Sequence, residues 1–161
     1  MKIIIKQKVV SLLGEFTAED ENGNELYVIK GKPGLSKTFE IYDQNGKSAG
    51  KIKEKIISLV PHYLLYDKNE QVGDIVKNIT LFKDRYTIGF KNWVAEGDLV
   101  DFNYEVKRKR EKVFSIKRRA VRIINPVYTL EVENRADAFY AVMVAVAIFI
   151  MNADEKNKNN N

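Results

Sequence analysis

Cysteine is absent from this 161-residue chain, histidine occurs once and proline three times. Without cysteine there is no disulfide, no thiol nucleophile and no thiolate-bound metal, and the chain suits a reducing compartment. One histidine leaves neither a serine triad nor a histidine-built zinc site to assemble. That histidine, His62, follows Pro61 and reads as a loop or strand-edge residue. No linker divides the chain, and its length suits one domain. The apolar run Ile3-Ile4-Ile5 is too short for an export signal, and no small-residue cleavage site follows it.

What is present is a repeat. Ile5-Lys6-Gln7-Lys8-Val9-Val10-Ser11-Leu12-Leu13-Gly14-Glu15-Phe16 returns 47 positions later as Ile52-Lys53-Glu54-Lys55-Ile56-Ile57-Ser58-Leu59-Val60-Pro61-His62-Tyr63. Looser copies start at Val28, Ile75 and Ile116, so a unit recurs about every 23 or 24 residues. After each aromatic anchor an alternating run leads into a turn: Asp20 before Asn22-Gly23, Asp43 before Asn45-Gly46, Asp67 before Asn69. Asn-Gly between alternating segments predicts a type I′ hairpin, and each Asp suits a side chain bonded to its own turn backbone. The unit is thus a strand, a tight turn and a returning strand, giving thirteen or so strands up to Val132. Alternation places Phe39, Ile41, Ile52, Tyr63, Leu65 and Ile75 on one face, with Glu40, Tyr42, Lys51 and Lys53 on the other.

The exception begins at Asn134, a good N-cap, with Asp137 in the first turn. From Ala138 to Met151 no residue is charged and no polar stripe appears. A helix apolar on every side must be surrounded on every side. At ~1.5 Å per residue this run spans roughly 21 Å, short of the ~30 Å hydrocarbon core of a bilayer. Enclosure by protein is the preferred reading: a sheet with one apolar face, curled round the helix, covers the helix and closes its own edges. The last residues, 152–161, are Asn- and Lys-rich and are expected to be a disordered polar tail behind a domain of residues 1–151.

In their order, several elements resemble the LURP-one-related proteins. They are the repeated Ile-Lys-x-Lys-Ile-x-Ser-Leu phrase, the Phe16-x-x-x-Asp20-x-Asn22-Gly23 turn, Trp93-x-x-x-Gly97-Asp98, Ile116-Lys-Arg-Arg, and Tyr128-x-Leu-x-Val with its apolar helix. The resemblance implies the tubby-like fold, mainly β: a closed antiparallel barrel of about twelve strands enclosing a C-terminal hydrophobic α-helix. It also implies kinship with phosphoinositide-binding tubby proteins and with scramblases, which are linked to phospholipid movement. It carries no catalytic residue to this chain.

Chemistry is sparse. Lys107 to Arg122 holds nine basic residues against Glu111, a local +8 in a chain of net +5. A hairpin turning near Lys109 to Glu111 would bring Lys107 close to Lys117 and Arg119 on one outward face, with Val106, Phe114 and Ile116 inward. Such a face concentrates anions, and phosphate suits guanidinium forks. Solvated surface, an anionic lipid surface and nucleic acid are the open readings of it. Nucleic acid is disfavoured because Phe114 is the one nearby ring. The Asp-x-Asn turns lack the later Gly and Glu of a calcium loop, and Gly31 to Lys37 lacks the spacing and helix of a phosphate loop. Trp93 is expected to close one barrel end, and nothing pairs Glu96, Asp98 and Asp101 across a cleft.

The expectation is therefore a non-enzymatic, cytoplasmic protein without cofactor or metal, peripheral at the inner membrane surface. It would bind a phospholipid headgroup through Lys107, Lys109, Lys117, Arg118 and Arg119. A protein-interaction module with no small ligand is the alternative, and a large polar cavity would be the sign of an enzyme.

Overall fold

Period-two alternation and the turn signals generate strands, and the structure is a computed structural model describing residues 1–8, 13–98, 101–119 and 125–160. Twelve strands follow in chain order: β1 (Lys2–Lys8), β2 (Glu15–Glu19), β3 (Glu25–Lys32), β4 (Thr38–Asp43), β5 (Ser48–Glu54), β6 (His62–Asp67), β7 (Glu70–Asn78), β8 (Asp84–Ile88), β9 (Trp93–Asp98), β10 (Asn103–Arg108), β11 (Glu111–Arg118) and β12 (Val127–Val132). Each pairs antiparallel with its neighbour in sequence, and β12 returns to β1, so the sheet is a closed barrel. Closure removes every free edge. The seam is completed by the amino terminus, whose ammonium donates to the Val132 carbonyl at 2.7 Å. The count is twelve strands rather than thirteen or so.

A single-turn 3₁₀ helix, Arg135–Asp137, follows β12 and leads into α1 (Ala138–Asn159). Asn134 caps that turn, its side-chain oxygen accepting from the Ala136 N–H at 3.0 Å. From Ala141 to Asn152 every residue of α1 is buried. The helix is long and apolar enough to cross a membrane, but here its apolar length lies inside the barrel wall. Facing follows the parity read from sequence. Phe39, Ile41, Ile52, Tyr63, Leu65 and Ile75 all point to the core, as do Val106, Phe114 and Ile116. Trp93 is 1% exposed, its ring edge-on to Phe114 at 5.7 Å.

Two local expectations are corrected. Asn22-Gly23 and Asn45-Gly46 do not form type I′ turns, since only the glycines have positive φ, +82° and +72°. The Gly23 N–H donates to the Asp20 carbonyl at 3.1 Å and the Gly46 N–H to that of Asp43 at 2.9 Å, with a register shift beside each turn. These are longer turns ending in a bulge with glycine in the left-handed region. The carboxylates act as expected at Asp20, which accepts from the N–H groups of Asn22 and Asn24, and at Asp43, which accepts from those of Asn45 and Lys47. At the third turn Asp67 accepts instead from the Tyr140 hydroxyl at 2.8 Å.

The second correction concerns the tail. Residues 152–159 continue the helix instead of being disordered. Asn152 is buried, Asp154 and Glu155 pair with barrel lysines, and Lys156 and Lys158 sit where the helix dipole favours cations. Part of the first repeat copy, Val9 to Leu12, lies outside the described residues.

Wall and helix meet tightly at Gly50. A Cβ there would lie 2.4 Å from the Tyr66 carbonyl oxygen and 2.8 Å from Phe139 Cζ. Gly50→Ala is therefore expected to cost ~1–3 kcal/mol by overpacking, read as a lowered urea midpoint at unchanged m. An unchanged midpoint would show that the wall yields there.

Candidate functional site: the mouth where the helix leaves the barrel

An up-and-down barrel sends alternate connections to opposite ends, which gives this barrel two unlike mouths. At the lower mouth, where α1 starts, the connections are the tight turns 20–24, 44–47, 68–69, 89–92 and 109–110. Lys91 Nζ binds Asp137 there at 2.6 Å, and the Tyr140 hydroxyl meets Asp67. At the upper mouth, where α1 leaves, the described connecting residues are 13–14, 33–37, 55–61, 79–83, 101–102, 119 and 125–126.

A polar collar fixes α1 at the upper mouth. The Tyr86 hydroxyl donates to the Asn152 side-chain oxygen at 2.6 Å, and the Asn152 amide donates to the Tyr104 hydroxyl at 3.0 Å. Tyr104 in turn donates to Asp84 at 3.1 Å. Lys77 Nζ sits between Asp84 at 3.1 Å and Glu155 at 2.5 Å. On the other side of the helix Lys37 pairs with Asp154, and the Tyr63 hydroxyl donates to the same carboxylate at 3.3 Å. Burial, reinforced by these carboxylates, pushes the phenols of Tyr63, Tyr86 and Tyr104 well above the usual range. The phenols thus stay neutral and donate, and the collar is an anchor whose polar groups are partnered.

The basic hairpin does not gather as expected. The turn at Lys109 and Arg110 sets Lys107 opposite Lys112, while Lys117 faces Asn103. Asn103 lies four residues back along β10, so Lys107 and Lys117 stand ~13 Å apart along the strand. Lys107 and Lys109 belong to the lower mouth; Lys117, Arg118 and Arg119 belong to the upper. Charge also differs in availability. Lys107 meets Glu105 at 2.8 Å, Arg108 meets Glu111 at 3.5 Å and Lys112 meets Glu133 at 2.8 Å. Lys117, Arg118 and Arg119 are exposed and make no ion pair among the described residues.

Hairpin parity brings other cations to the same mouth from distant parts of the chain, among them Lys32, Lys55 and Lys83. Over the described residues 8, 13–15, 30–38, 53–62, 77–85, 97–98, 101–102, 117–119 and 153–159 there are fourteen Lys and Arg against seven Asp and Glu. A run along the sequence finds only the Lys107–Arg122 stretch; the rest becomes visible once alternate connections are assigned to one end. A cleft of about 330 Å³ opens at this mouth, where Phe16, Phe39 and Phe149 form its floor and Lys32 and Lys37 its edge.

The remaining candidates are accounted for by contacts. His62 opens β6 and meets Asp74 at 2.8 Å. Glu96 faces Arg85 at 3.7 Å in an outer groove that also holds Lys107 and Lys109. No group of three or more His, Asp or Glu side chains is placed to hold a metal among the described residues.

The LURP-one-related family model matches residues 1–151. The chain belongs to the LURP-one-related family. It is 28% identical over 100 residues to the uncharacterised protein YxjI of Bacillus subtilis strain 168, covering 62% of each chain. The X-ray structure of an Arabidopsis thaliana protein shares its fold, with a TM-score of 0.61 and 17% identity over 92% of this chain and 91% of the plant chain. Twelve antiparallel strands around an apolar C-terminal helix are what the resemblance in sequence implied, and LURP-one-related membership rests on nearly the whole chain.

Two measurements probe the collar. Asn152→Ala leaves the Tyr86 and Tyr104 hydroxyls short of a partner and is expected to cost ~1–3 kcal/mol, seen as a lowered Tm; an unchanged Tm would remove the anchoring role. The second concerns alkali. Tyr140 is pushed up to about 12 by its bond to Asp67, with burial second. The folded state holds these phenolic protons to higher pH than the unfolded chain, whose tyrosines titrate near ~10. Their stabilisation is complete below about pH 10 and is lost as pH rises above it. Tm should fall between about pH 10 and 12, less steeply in Tyr140→Phe.

Proposed function

We propose that this LURP-one-related protein is a non-enzymatic binder of anionic phospholipid surfaces, a peripheral protein of the cytoplasmic side. The upper mouth is the binding end, and Lys117, Arg118 and Arg119 take headgroup phosphates. The supporting observation is that, among the described residues, these three cations have no carboxylate partner and stand among further basic strand ends. A cation already paired within the protein gives up that pair on meeting a phosphate; these do not. Lys107 and Lys109, at the other mouth, drop to a secondary role in this reading. Lipid is favoured over single-stranded nucleic acid by the aromatic inventory. Phe114 is buried, and Phe82 is the one large exposed ring among the described residues.

Flotation with neutral vesicles and with vesicles one-third phosphatidylserine tests the reading. At ~1 kcal/mol per cation near an anionic surface, K117E/R118E/R119E should weaken binding by at least about a hundredfold. K107E/K109E should change it far less, and added salt should weaken the parent protein's binding. Equal binding to both vesicle types, or to neither, ends the proposal; capture of a protein partner unaffected by the triple reversal would support the interaction-module alternative.

A further inference from the structure

The exposed apolar side chains are not scattered. Apart from Met1, each large hydrophobic residue that stands exposed among the described residues lies in an upper-mouth connection. Ile56, Ile57 and Leu59 lie between β5 and β6; Ile79, Leu81 and Phe82 lie between β7 and β8. Leu13 and Leu35 lie in the two preceding connections of this mouth, so the exposed residues fall on four consecutive connections of the rim. Leu59 and Phe82 are 105% and 95% exposed, so these chains project from loop tips with nothing packed on them. The lower mouth offers no counterpart: its connections are tight turns whose one aromatic, Phe90, is half-buried against Trp93 and Tyr140. The walls cannot have produced this bias, because strand alternation buries apolar residues equally at both ends.

We infer that these loop tips are a membrane footing. They insert into the interfacial layer of an anionic bilayer, and the barrel stands on its upper mouth with α1's carboxyl end towards the lipid. The inference rests on the lipid-binding reading and adds to it a mode of attachment and an orientation. Three features favour a bilayer over a folded protein partner. The apolar groups stand on separate loop tips carried by consecutive connections of the rim, and side chains as exposed as Leu59 and Phe82 can penetrate a fluid interface. Basic residues flank the tips at Lys55 and Lys83, with Arg118 and Arg119 at the same mouth, and a basic, apolar surface complements an anionic interface. The helix that could cross a membrane is already enclosed, which leaves shallow insertion by the loops.

Absence of cysteine makes the experiment clean. Leu59→Cys, Leu81→Cys and, at the opposite mouth, Asn45→Cys are each labelled with an environment-sensitive fluorophore and mixed with vesicles one-third phosphatidylserine. Blue-shifted, brighter emission is expected at 59 and 81 and none at 45. L59N/L81N/F82N should keep the parent Tm, because these side chains touch nothing, and should bind the vesicles at least about tenfold more weakly. If the parent floats with anionic vesicles while labels at 59 and 81 stay water-like, the footing is wrong and the lipid-binding reading stands. If the parent does not float, both fall. Dimers in sedimentation that disappear in the triple variant would assign the surface to a second copy and overturn the footing.

Discussion

An apolar helix with no polar stripe imposes the form of everything around it. From Ala141 to Met151 α1 offers water nothing to hydrogen-bond beyond its own saturated backbone, so each face needs a covering layer. One sheet can cover a cylinder only by closing, and closing requires enough strands to pass round a helix with side chains on it. Twelve strands from six hairpin units satisfy this, and alanines at 141, 145 and 147 let the wall approach. The repeat in the sequence is then the economical route to a circumference: one hairpin, reused.

Closure by consecutive hairpins has a second effect, which is to make the ends of the barrel chemically independent. Tight turns need Asp, Asn and Gly, and the lower mouth is rich in them. The longer connections at the upper mouth are free of that demand. There the chain places polar anchors inside the rim, at Asn152, Tyr86 and Tyr104, and cations and apolar tips outside it. A stable plug and the exposed cations and apolar tips share one end, with Lys37 common to the anchor and the cleft edge.

The architecture was legible because its signals are periodic. Inward Tyr63, Leu65 and Ile75 follow from alternation alone, and α1 follows from an uncharged run behind a capping Asn134. What escaped reading depended on geometry that a linear sequence does not carry. Asn-Gly serves both a two-residue turn and a glycine bulge, and the difference lies in one backbone angle. Lys107 and Lys117 looked adjacent because both flank a turn; the register places them at opposite ends of a hairpin. The helical run beyond Met151 is polar, and contacts with Tyr63, Tyr86, Tyr104, Lys37 and Lys77 hold it in line. Ile56, Ile57, Leu81 and Phe82 are hydrophobic letters in loops, and composition by itself does not tell core from surface.

Because α1 comes after all twelve strands, a growing chain makes its wall before it makes the filling. Until residues 138–152 emerge, the inward faces of up to twelve strands have no partner, and β1 must wait for β12 to close the seam. The order of elements therefore fixes a hazard of synthesis: a transcript cut short of Ala138 encodes a sticky sheet and no barrel, and the final turns of the protein decide whether the earlier ones are a fold or an aggregate.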